Sequence, residues 1–132
     1  MTAYSADQAT LQQMISLAEE RLAAANLNLN AGFYRDATSR AYYAAFHAIS
    51  AVLAVNGLVV KSHAQTIGAF NRDMVKTGVF PRTTTRQLQR LFINRQRADY
   101  DLAFLVGEVQ AREDIDGARV IVDQCTDYLA SR

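Results

Sequence analysis

The run Asn94, Arg95, Gln96, Arg97, Ala98, Asp99, Tyr100, Asp101 holds the residues most able to do chemistry in this chain. It continues a helical stripe of Leu88, Leu91 and Phe92, and that stripe lands next on Arg95 and Asp99. The stripe is expected to resume at Leu102 and Leu105. An Arg and an Asp thus stand i, i+4 on a face that should point inward. A charge removed from water without a partner is costly, so the two must pair with each other or line a cleft. As a plain buried pair they would only fix how helices dock, and such structural pairs are common. On another face of the same helix Arg82, Arg86, Arg90 and Arg97 form a row. No acidic residue lies between positions 82 and 98. Such a row can neutralise the phosphates of RNA or DNA, or it can be covered by an acidic neighbour.

A second polar line interrupts a small-residue helix. Asp36, Arg40, Tyr43, His47 and Ser50 are spaced by 4, 3, 4 and 3. They make one stripe, either a solvent face or the wall of a polar groove between helices or protomers. Many standard sites are missing. The six glycines are isolated from one another, so no phosphate-cradling loop is present. The two histidines, His47 and His63, lack metal-ligand spacing with each other or with Cys125, so no metal or other cofactor is expected. No nucleophile elbow occurs.

The elements that must hold these residues are read from 132 residues, enough for one domain over residues 1–132. Half of the chain is apolar and only one Pro is present, which speaks against disorder. The net charge of +1 hides an asymmetry: residues 1–98 carry 11 Lys/Arg against 5 Asp/Glu, and residues 99–132 carry 3 against 8. A basic coat over the whole molecule is excluded. One Cys excludes an internal disulfide framework. No secretion signal or membrane-length apolar run is apparent, so a cytoplasmic location without membrane contact is expected.

Ser5 and Gln8 have the form of a capping box opening a first helix over about residues 6–27, ended by the Asn-rich segment at 26–30. A second helix runs from near Gly32 to Asn56-Gly57. It is rich in Ala (37, 41, 44, 45, 48 and 51) and apolar around most of its girth, so it should be central. Ser62 caps a shorter third helix through Ile67, Phe70 and Met74. A fourth opens after Pro81, and a fifth follows Gly107 with Ile115, Ala118, Val122, Cys125 and Leu129 on one face. No stretch alternates with period two. The expected fold is all-α, an up-and-down bundle of four to five helices.

Three segments in this order, S-R-A-Y-Y-A-A-F-H-A at 39–48, K-S-H at 61–63 and R-Q-R-A-D-Y-D at 95–101, resemble the HEPN superfamily. The likeness is to its stand-alone prokaryotic branch with an R-x-x-x-D-Y signature, and it spans nearly the whole chain. It implies a helical homodimer with the polar signature at the protomer interface. It also implies work beside a minimal nucleotidyltransferase in a toxin–antitoxin or defence system. Ribonuclease relatives use an R-x(4–6)-H motif, in which Arg holds the phosphate and His assists attack by the RNA 2′-hydroxyl without metal. Arg95 takes the Arg position, and Tyr100 stands where that motif has His. A phenol with a pKa near 10 accepts protons poorly at neutral pH, so His47 or His63 would have to substitute.

By this resemblance Arg95 binds phosphate, Asp99 orients it and Tyr100 donates a hydrogen bond, these three forming the catalytic set. Asn94, Arg97, Arg90, Arg40, Tyr43 and His47 would contact RNA or nucleotide. The alternatives are a non-catalytic dimerisation or interaction module and a nucleotide-binding regulator.

Overall fold

A computed structural model describes residues 7–58 and 60–132. Five helices form: α1 (Gln8–Asn30), α2 (Tyr34–Val55), α3 (His63–Phe70), α4 (Arg82–Tyr100) and α5 (Glu108–Ala130). Among the described residues there is no strand. Each helix begins or ends where local chemistry directs it. The Asp7 carboxylate accepts the Thr10 N–H at 2.8 Å and caps α1. Ser5, the expected cap, lies outside the described residues. The Asn-rich segment does not break α1 as expected. Leu22, Ala25 and Leu29 keep the buried face going through it, and that packing outweighs the weak helix propensity of Asn. The turn comes at Gly32, whose φ of +82° favours glycine, and the Phe33 N–H reaches back to the Asn28 carbonyl at 2.8 Å.

Six Ala residues of α2, at positions 37, 41, 44, 45, 48 and 51, are fully buried. Small side chains let α1 and α5 lie close against it. Paired residues show the directions. Tyr34 meets Glu108 and Asn56 meets Tyr128, so α2 and α5 run the same way. Arg35 meets Ala98 and Thr84 meets Gln124, so α4 runs the other way. Helix α1 does too, since Leu11 at its start packs with Val55 and Leu129 at the ends of α2 and α5. The result is the expected up-and-down bundle, with α2 at its centre.

Helix α3 is capped by Ser62, whose hydroxyl accepts the Gln65 N–H at 3.1 Å. It runs into a π-helical turn, Asn71–Val75, closed by the Lys76 N–H on the Asn71 carbonyl. Thr85 of α4 donates to the Asn71 side chain at 2.8 Å and ties this turn to α4.

The stripe of α4 does not resume after Asp99. The helix stops at Tyr100, and Leu102 and Leu105 are 92% and 86% exposed. The physical reason is Arg35 of α2. Its guanidinium donates to the carbonyls of Ala98 (2.8 Å), Asp101 (3.2 Å), Leu102 (3.3 Å) and Phe104. Carbonyls at a helix end need partners, and here one side chain supplies four donor contacts. Asp101 then accepts the Ala103 N–H at 3.0 Å and starts the connection to α5.

Candidate functional site

Arg95 sits on the inward face of α4, as its place in the stripe requires, and is 7% exposed. It lies among aromatic rings. Its guanidinium carbon is 4.9 Å from the centre of the Tyr42 ring, 5.5 Å from Tyr43 and 5.6 Å from Phe92. Ring faces attract a cation, by ~1–2 kcal/mol when partly desolvated. Its ionic partner is Asp99, one turn on, at 3.7 Å. That distance is too long for a hydrogen bond. The Arg95 Nε is buried and has no hydrogen-bond partner among the described residues. The charge is thus held by rings and one loose carboxylate, with hydrogen-bonding capacity left over. Asp99 is itself half-held, accepting the Ser39 hydroxyl at 3.5 Å.

The aromatic wall belongs to α2 and carries a second group. Tyr42 is fully buried, and its hydroxyl meets the Nδ1 of His63 at 2.7 Å. Burial pushes the Tyr42 phenol up to about 12, against the pull of the Arg95 charge. His63, the first residue of α3, is stacked on Phe46 with ring centres 4.1 Å apart and planes 11° from parallel. Burial and the Arg95 charge lower its pKa, and its place at a helix N-terminus works in the same direction. Tyr43 meets the His63 ring edge-on at 5.7 Å. His47 is half-buried beside Tyr43 and Phe46, its pKa lowered by burial first, then by Arg21 and His63.

The expected site residues therefore divide. Arg95, Asp99, Tyr43 and His47 belong to one cluster. Asn94 turns away from it and donates to Asp114 at 3.0 Å. Arg90 is paired with Glu113 of α5 at 2.5 Å, so the acidic fifth helix covers part of the basic row. Arg97 is exposed and lies over the Phe104 ring at 5.4 Å. Arg40 is exposed on α2. Tyr100 is 77% exposed at the last position of α4.

Several participants lay outside the expected set. Tyr42 and Phe46 read as core bulk, and His63, expected only as a stand-in for the motif His, is joined to Tyr42 across 21 residues. Asp114 is buried completely, accepting from Thr38 and Asn94 at 3.0 Å each. Burial raises its carboxyl above the ordinary range, while these two donors pull it back. A signal for it existed. Asp114 stands at a core register of α5, four before Ala118 and seven before Ile121. Among the described residues no cluster of three or more His, Cys, Asp or Glu could hold a metal ion. No helix there is long and apolar enough to cross a membrane.

Comparison with known proteins places this geometry. A family model for the HEPN domain matches residues 11–128. The chain belongs to the HEPN domain family. Two relatives come from Methanocaldococcus jannaschii, and both are named as candidate toxins. MJ0605 is 38% identical over 68% of this chain and 67% of its own length. MJ0142 is 26% identical over 92% of this chain and 83% of its own. A Thermotoga maritima relative, named UPF0332 protein, is 37% identical over 63% of each chain. Among solved structures, TT1696 from Thermus thermophilus superposes with a TM-score of 0.77 at 19% identity. The match covers 89% of this chain and 96% of that one, and shows that the two share a fold.

Proposed function

We propose that this HEPN protein acts as a toxin-like protein directed at RNA, holding a phosphodiester at Arg95 and cleaving it without metal. The single observation that carries this reading is the state of Arg95. A guanidinium that is nearly buried, faced by rings and left with an unpartnered Nε is a prepared receptor for an anion. Charge developing on a phosphodiester in the transition state is what such a preorganised cation stabilises. The toxin names of two relatives support it. In this reading two protomers form a homodimer around the cleft, a minimal nucleotidyltransferase is the partner protein, and the setting is the cytoplasm. Asp99 orients Arg95, and Tyr100 lends a hydrogen bond from the rim.

The test is RNA cleavage by the purified protein without added metal, beside a folded Arg95→Ala variant. Cleavage by the wild type that disappears in Arg95→Ala is expected. Equal cleavage by both would remove Arg95 from the mechanism.

A second reading, a non-catalytic interaction module, rests on different residues. Tyr100, Leu102, Leu105 and Val109 place four large apolar side chains in water near the end of α4 and start of α5, the kind of surface that marks contact sites. Under that reading Leu102→Asp together with Leu105→Asp abolishes partner or self association, and no RNA is cleaved by the wild type.

A further inference from the structure

We infer that His63 serves the Arg95 cleft as a neutral hydrogen-bond donor to a bound phosphate, locked by Tyr42 with its ring proton on Nε2. The inference rests on the reading that phosphate binds at Arg95. It differs from the simpler idea that His63 replaces the general base missing from the α4 signature.

The argument starts from proton counting. The Tyr42 hydroxyl is fully buried, so its hydrogen must reach an acceptor. The guanidinium beside it, Arg95, has only donors. The one acceptor within reach among the described residues is His63 Nδ1, at 2.7 Å. Tyr42 therefore donates, and Nδ1 must be unprotonated. A neutral imidazole has one N–H, so it lies on Nε2. In this state Nε2 has no lone pair to take a proton from a 2′-hydroxyl. Charging the ring would put an N–H on Nδ1 against a hydroxyl whose own hydrogen has nowhere else to go. The groups around the ring agree with neutrality. Arg95 faces it from α4, His47 from α2 and Lys61 two residues before it. Tyr42 and Tyr43 are the remaining ionisable neighbours from α2. The lowered pKa of His63 follows from the same surroundings.

Stacking on Phe46 fixes the direction of the free nitrogen. No other hydrogen bond of His63 is recorded among the described residues, so Nε2–H remains available to a ligand. Arg95 then supplies charge and His63 supplies one directed donor, a pairing that needs no proton transfer by His63 itself.

The experiment uses the full chain and a 2′-O-methyl oligouridine, which cannot undergo attack by its own 2′-oxygen. Ring nitrogen NMR at pH 7.5 is expected to show neutral His63 protonated at Nε2. Tyr42→Phe, which removes the hydroxyl that holds Nδ1, is expected to raise the titration midpoint of His63 and mix the two neutral forms. A role in packing alone would move neither. Oligonucleotide affinity should fall about tenfold in His63→Leu and return to within about threefold in His63→Gln, whose amide restores a donor. A charged ring or a proton on Nδ1 would overturn the inference. So would wild-type affinity in His63→Leu beside lost affinity in Arg95→Ala, which leaves the phosphate reading standing. Failure of the wild type to bind the oligonucleotide overturns that reading, and the donor role with it.

Discussion

Asn94 and Arg95 are neighbours in α4, yet each enters a different buried polar arrangement. Asn94 turns toward α5 and meets Asp114, a fully buried acid that also takes a hydrogen bond from Thr38 of α2. Arg95 turns toward the aromatic face of α2 and finds rings, a carboxylate at 3.7 Å and no partner for its Nε. The first arrangement joins three helices and pairs both oxygens of Asp114, although Gln110 Nε2 nearby is buried without a hydrogen-bond partner. The second leaves the Arg95 Nε without one. Both take charge out of water, and only Asp114 meets it with direct hydrogen bonds to both of its oxygens. Direct bonds from two other helices to both of its oxygens mark Asp114 as architecture. On the proposed reading, phosphate binds where the Arg95 charge is left without a direct hydrogen bond to a carboxylate.

The sharpest way to break this contrast is to remove the acid. Asp114→Ala leaves the buried Thr38 and Asn94 donors without their acceptor, and is expected to cost about 3 kcal/mol in urea unfolding. A loss under about 1 kcal/mol would mean that the network does not hold the helices together. Arg95→Met should behave in the opposite way. It replaces an incompletely paired buried charge with an apolar chain of similar length, so stability should change by no more than about 1 kcal/mol. RNA cleavage or binding should vanish. Stability that collapses while RNA handling survives would exchange the two assignments.

The pH response separates them further. The Asp114 carboxyl titrates higher in the folded chain than in the unfolded chain. Between those two values the folded state holds more protons, so its advantage is present at low pH and declines as pH rises through the window that opens near 3.9. Asp114→Asn cannot titrate. Its stability should therefore gain on wild type as pH is raised from about 4 toward neutrality, in paired melting curves. A gap that widens the other way would contradict a raised carboxyl. The smallest effect belongs to Tyr100→Phe. Its exposure predicts a stability change within about 0.5 kcal/mol, so any larger change in RNA cleavage by this variant reports on the cleft alone.

Much of this was readable before any coordinates. The Ser62 cap, the stop at Asn56-Gly57 and the buried Ala positions of α2 depend on local chemistry, and they fall where the pattern puts them. Arg95 was legible because a charge broke an apolar stripe. What could not be read depends on residues distant in sequence. Nothing near Leu102 announces that Arg35, 67 positions earlier, takes its carbonyl and helps end the helix. The Tyr42–His63 bond likewise appears only once α3 is folded against α2. The continuation of α1 through its Asn-rich end was hidden for a related reason, since tertiary burial of Leu29 decided it.

The π-helical turn after α3 has a consequence of phase. It takes up more residues per turn than an α-helix and so sets the rotation at which the chain leaves α3 for the connection to α4. Deleting one residue between 71 and 75 would return that stretch to ordinary winding, about 100° of rotation per residue removed. His63 lies before this turn and Arg95 after it. The distance between them along the chain, and not only their identities, is thus part of what lets both meet the same rings of α2. A chain one residue shorter here would keep both groups while changing the register at which this turn meets α4 through Asn71 and Thr85.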